Sequence, residues 1–137
     1  MAGKIKPCTA QERPRLLLVE DDAGVRRSLQ LLLQAKGFDV RAYAAGAALL
    51  ADPLADKACC IVADYNMDDL DGLDVLSGLR SRGWAGPAIL ITAFPSPQLA
   101  KAAADAGYSI VLDKPFREHV LIDTLTKLVG PVAQSVT

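Results

Sequence analysis

Leu16-Leu17-Leu18-Val19-Glu20-Asp21-Asp22 runs from four uninterrupted apolar residues straight into three carboxylates. An apolar run without polar alternation fits a strand buried on both faces, as in a parallel sheet. Behind it Val25, Leu29, Leu32 and Leu33 recur at near-helical spacing and share one face, and Gly37 closes that helix. The unit then repeats. Residues 38–42 read as a short strand, and Gly46–Leu50 as part of a short helix ending before Pro53. Cys60-Ile61-Val62-Ala63 is a second buried run, and it too ends on a carboxylate, Asp64. Leu73, Leu76 and Leu79 form a helical stripe that stops at Gly83. Ala88-Ile89-Leu90-Ile91 ends on Thr92, and Pro97 opens a helix reaching about Ala106. Residues 109–112 give a fifth strand, closed by Asp113-Lys114-Pro115. Val120, Leu121, Leu125 and Leu128 form the last stripe, ending at Gly130. Five strands alternating with five helices predict an α/β fold: a doubly wound parallel sheet with helices on both faces.

The chain has 137 residues, 51% of them hydrophobic and 23% charged, which suits one globular domain with its own core. Residues 15–130 are expected to form it. Residues 1–14 carry Pro7 and Pro14 and no apolar period, so they read as a flexible arm, and 131–137 as a short tail. The formal net charge is −1, without the basic excess of a nucleic-acid binder. No apolar run approaches the roughly 18 residues of a membrane span, and no secretory signal opens the chain. Three cysteines, two of them adjacent (Cys59 and Cys60), argue against a disulfide framework and for a reducing, cytoplasmic setting. The lone His119 leaves zinc without a second imidazole.

In such sheets ligands bind beyond the carboxyl ends of the strands. Glu20-Asp21, Asp64, Thr92 and Lys114 all fall there. Converging carboxylates repel unless a cation sits among them, and this oxygen-rich set suits Mg²⁺ more than Zn²⁺. Lys114 adds a second positive charge, and the Thr92 hydroxyl can donate to an oxyanion. A carboxylate nucleophile, a metal, a lysine and a hydroxyl are the parts that hold a phosphoryl group while it moves onto or off an aspartate.

The chain resembles a response-regulator receiver domain of two-component signalling. The resemblance rests on Leu16 to Asp22 with Arg26 following, Val62-Ala63-Asp64-Tyr65-Asn66-Met67 ahead of Asp71-Gly72, Thr92-Ala93, and Lys114-Pro115-Phe116. It implies a flavodoxin-like sheet of strand order 2-1-3-4-5. It implies that Asp64 is phosphorylated, that Asp21 binds Mg²⁺ directly, and that Glu20 assists partly through water. The Asn66 main-chain carbonyl would be a further ligand, Lys114 would pair with Asp64, and Thr92 would be the switch hydroxyl. The Lys114-Pro115 bond is often cis in this family. The implied partners are a histidine kinase or phosphotransfer protein and a downstream protein target, with a homodimer through helix 4, strand 5 and helix 5 as one arrangement. Nucleic acid and membrane are not expected partners of this domain. The implied role is a switch and not an enzyme, since only its own phosphoryl transfer and dephosphorylation are catalysed.

Three residues depart from the family pattern. Asp68 replaces the usual proline, so the loop after Asp64 is expected to be more mobile. Val111 replaces a frequent Tyr or Phe, which removes the aromatic half of the usual switch. Phe94, with Pro95 and Pro97 behind it, is expected to restrict water near the site. Asp22 is expected mainly to cap the first helix, Arg26 and His119 to be solvated, and Trp84 and Tyr108 to pack. Competing readings are a degenerate receiver that only binds protein, a haloacid-dehalogenase-type Mg²⁺ phosphatase and a flavodoxin-like cofactor carrier. Asp64-Tyr65-Asn66 lacks the second carboxylate of the phosphatase, and Glu20-Asp21-Asp22 would repel the carrier's phosphate.

Overall fold

The computed structural model describes residues 13–130. Five strands alternate with five helices: β1 Arg15–Val19, α1 Ala23–Ala35, β2 Asp39–Tyr43, α2 Gly46–Leu50, β3 Cys60–Asp64, α3 Gly72–Ser81, β4 Ala88–Thr92, α4 Pro97–Ala106, β5 Ile110–Asp113 and α5 Glu118–Val129. All strand pairs are parallel, and the order is β2-β1-β3-β4-β5, as expected. The expected arm over 1–14 and tail over 131–137 lie outside the described residues, except Arg13 and Pro14. Pro14 is buried and its carbonyl accepts from the Asp39 amide at 2.9 Å, so the ordered chain begins before Arg15.

Period-two alternation divides the central strands between two cores. Leu17, Val19, Ile61, Ala63 and Leu90 pack against α2, α3 and α4 through Leu49, Leu76, Leu79 and Leu99. Leu16, Leu18, Val62, Ile89 and Ile91 face α1 and α5 through Leu29, Leu33, Leu121 and Leu125. β1, β3 and β4 are thereby covered on both sides, which is why their sequences carry no polar alternation.

Three of the helices, α1, α3 and α4, begin where the sequence offers a side-chain cap. Asp22 accepts from the Val25 amide at 2.9 Å, Asp71 from Asp74 at 2.9 Å, and Ser96 from Leu99 at 3.0 Å ahead of Pro97. Trp84 and Tyr108 pack as expected, with the Trp84 indole N–H donating to the Ala58 carbonyl at 2.9 Å. Cys60 is a buried free thiol whose pKa burial pushes up to about 12. Cys59, beside it, is half-buried.

Candidate functional site

Register brings the polar strand ends together. Asp64 is the last residue of β3 and pairs with Ile91, one residue before Thr92 at the end of β4. Thr92 pairs with Asp113, so Lys114 emerges beside it, and the Lys114 amide donates to the Thr92 carbonyl at 2.7 Å. Glu20 follows β1, and its amide donates to the Tyr43 carbonyl at 3.1 Å. The peptide bond between Lys114 and Pro115 is cis.

The side chains converge in turn. One carboxylate oxygen from each of Glu20, Asp21 and Asp64 lies within 4.8 Å of the others. Lys114 Nζ stands 3.2 Å from Glu20 Oε1 and 3.5 Å from Asp64 Oδ2. The Asn66 amide donates to Asp64 Oδ1 at 3.3 Å. Glu20 and Asp64 are buried, whereas Asp21 is exposed at the rim. Burial raises the Glu20 pKa, and the charge of Asp64 raises it further. The hydrogen bond from the Asp22 amide and the charge of Lys114 act in the opposite direction. Three carboxylates facing one ammonium form a donor set suited to a hard, oxygen-preferring cation. Both Glu20 oxygens already have partners, Lys114 and the Asp22 amide at 3.1 Å.

Thr92 is fully buried, and its Oγ1 accepts from the Phe94 amide at 3.0 Å. Phe94, expected to restrict water near the site, is itself 75% exposed. Val111 is half-buried against the α2–α4 core.

The contacts of three residues escaped the sequence reading. Arg26 is not a freely solvated residue: its Nη1 donates to the Glu20 carbonyl at 2.9 Å, reaching back over the first turn of α1. Asp69 accepts from the Gly46 amide at 3.2 Å and the Ala47 amide at 2.9 Å, which lowers its pKa. The Asp68 amide donates to Asp21 Oδ2 at 3.2 Å. The loop after Asp64, expected to be mobile, is therefore tied to both the acidic rim and α2. Arg26 carried a local signal, its placement one turn beyond the Asp22 cap. The contacts of the two aspartates join residues 22 to 47 positions apart and left no local trace.

Residues 16–126 match the response regulator receiver domain family. The chain is 36% identical over 109 residues to the C4-dicarboxylate transport transcriptional regulatory protein DctR of Rhodobacter capsulatus, covering 77% of this chain and 55% of the relative. It is 32% identical over 117 residues to the transcriptional regulatory protein FixJ of Azorhizobium caulinodans, covering 85% and 56%. The chain thus spans about half the length of the curated relatives it matches. Among solved structures, the Vibrio cholerae chemotaxis protein CheY4 superposes with a TM-score of 0.80 at 25% identity, covering 85% of this chain and 98% of that one. The Francisella response regulator 1452 receiver domain gives 0.77 at 26% identity, covering 85% and 97%. With the acidic rim, Thr92 and Lys114 on one edge of a 2-1-3-4-5 sheet and this match over nearly all the described residues, the chain belongs to the response-regulator receiver domains.

Proposed function

We propose that the chain is the phosphoacceptor of a two-component phosphorelay, taking a phosphoryl group from a phosphohistidine onto Asp64. The observation that carries this reading is the placement of Asp64. Its carboxylate is 5% exposed, faces Lys114, and lies within reach of the Glu20 and Asp21 oxygens. The donor is a histidine kinase or phosphotransfer protein, the setting is cytoplasmic, and the protein transforms no separate substrate.

In this reading one Asp64 oxygen attacks phosphorus in line with the departing imidazole nitrogen. The P–O bond forms as the P–N bond breaks, and the imidazole keeps the electron pair and takes a proton from solvent. Asp21, Asp64 and the Asn66 main-chain carbonyl would hold Mg²⁺, with Glu20 assisting. When bound, the ion offsets carboxylate repulsion and stabilises the charge on the phosphoryl oxygens. Lys114 faces Asp64 and turns to a phosphoryl oxygen as charge moves outward. The Asn66 amide orients Asp64 Oδ1. Thr92 Oγ1 releases the Phe94 amide and donates to the phosphoryl group.

The donor's approach is supported by a groove of about 780 Å³ with Val25, Leu29 and Leu32 of α1 on one side, Pro115 and Phe116 on the other, and Lys114 in its lining. An amphipathic helical donor fits such a surface. For the downstream contact, exposed Ile110 on β5 and Phe94 ahead of α4 support the α4–β5–α5 face, a homodimer included. The test is phosphotransfer from candidate phosphorylated kinases. Wild type should label in Mg²⁺ and fail to label after chelation, and Asp64→Asn should not label. Full labelling of Asp64→Asn would overturn the assignment.

A further inference from the structure

The Asp68 main-chain amide donates to Asp21 Oδ2 at 3.2 Å across 47 residues of sequence. A proline, the residue the receiver pattern usually has here, carries no N–H and could not make this bond. The next residue fixes the loop from its other side: Asp69 holds the Gly46 and Ala47 amides at the start of α2. Gly46 is closely packed there: an added Cβ would come within 2.6 Å of Val75 Cγ2. Asp21 is the exposed member of the three-carboxylate cluster, whereas Glu20 and Asp64 are held by burial and by Lys114. Without the loop amide its side chain would be free to rotate into solvent.

We propose that the Asp68 amide is a positioning group for the cation site. It engages Oδ2 of Asp21 and so fixes the carboxylate that lies within 4.8 Å of the Glu20 and Asp64 oxygens. The replacement of proline by aspartate thus gives this chain a preorganised metal ligand, anchored through the loop to α2. A charge-assisted hydrogen bond from an amide to a carboxylate is stronger than a neutral one. The side-chain charge of Asp68 has no part in the effect; the amide carries it. This inference rests on the reading of Glu20, Asp21 and Asp64 as a Mg²⁺ site.

The test titrates Mg²⁺ into wild type, Asp68→Ala and Asp68→Pro by calorimetry. The alanine variant removes the charge and keeps the amide, whereas the proline variant removes both. Relative to Asp68→Ala, Asp68→Pro should bind Mg²⁺ about fivefold more weakly, the effect of one exposed hydrogen bond. Equal or tighter binding by the proline variant overturns the positioning role and leaves the metal site standing. Absence of Mg²⁺ binding by wild type overturns the metal reading and the inference with it. A second measurement needs no metal and no proline: amide exchange at Asp68 in ion-free protein should accelerate in Asp21→Ala. Unchanged exchange overturns the contact itself.

Discussion

Lys114 Nζ lies closer to Glu20 Oε1, at 3.2 Å, than to Asp64 Oδ2, at 3.5 Å, although Glu20 is 94 residues away in sequence. Glu20 is 2% exposed, so its charge depends on this ammonium and on the Asp22 amide. In the resting protein the lysine is thus a counter-ion for the whole acidic group as much as a partner of Asp64.

Lys114→Met should therefore destabilise the ion-free protein by about 1–3 kcal/mol, below the range for a wholly buried pair because Lys114 is partly exposed. Saturating Mg²⁺ should recover more stability in this variant than in wild type. Urea denaturation with and without the ion checks both statements. An Mg²⁺ gain no larger in the variant would mean that Lys114 and the cation do not share the same carboxylate charge.

The acidic group also sets a pH dependence. The folded pKa of Glu20 is raised above its ordinary value of 4.5, chiefly by burial and also by the charge of Asp64. Between those two pKa values the folded state holds the proton more often than the unfolded state does. The associated stability is therefore fully present below 4.5 and is lost as pH rises through the folded pKa. Asp52 and Asp69, lowered from 3.8 chiefly by hydrogen bonds, act oppositely and only at lower pH. Ion-free protein should thus lose stability on going up from pH 4.5, whereas Glu20→Gln should show a flatter profile in denaturation across that window. The same slope in both proteins would remove Glu20 as its source.

Gly72 opens α3 directly under the site. A Cβ there would lie 2.5 Å from Leu90 Cδ1 and 3.0 Å from the Asp64 carbonyl oxygen. Its own carbonyl accepts from the buried Tyr108 hydroxyl at 2.6 Å, so α3 has little freedom to retreat. Gly72→Ala should cost about 1–3 kcal/mol by overpacking. It should also weaken Mg²⁺ binding, because the displaced atom belongs to the Asp64 backbone. A thermal melt and an ion titration on the same sample read the two effects. A variant as stable as wild type would show that Leu90 can yield.

The central strands were legible because burial on both faces leaves an uninterrupted apolar run, and the site was legible because each such run ends on a polar residue. The edges were less so. The second strand starts at Asp39 and not at Phe38, whose amide instead donates to the Leu33 carbonyl and turns the chain out of α1. The fifth starts at Ile110, one residue later than expected, and its exposed positions carry a weaker signal. The short 3₁₀ turn at Ala55–Lys57 is too brief for any periodicity to reveal. Asp69 and the Asp68 amide could not be placed because their partners are set by the fold and not by local spacing.

The signal should leave the site through Thr92. Val111 is short and stiff at χ1, so it cannot rotate as an aromatic would. The Thr92 hydroxyl oxygen instead holds the Phe94 amide at 3.0 Å, and two residues further on Ser96 caps α4 with Pro97 in its first turn. When Oγ1 turns to the phosphoryl group it must release that amide, and the Phe94-Pro95-Ser96-Pro97 segment can then settle into a second arrangement. Prolines restrict the intervening backbone, so the shift reaches α4 as a small displacement that biases an equilibrium between two states. Thr92→Ala lacks the acceptor in both states. It should still bind the phosphoryl mimic beryllofluoride at Asp64, while the NMR shifts that the mimic induces in α4 should largely vanish. Thr92→Ser keeps the hydroxyl and should retain them. If α4 responds equally in wild type and Thr92→Ala, the hydroxyl is not the relay, and the exposed Phe94 loop moves for another reason.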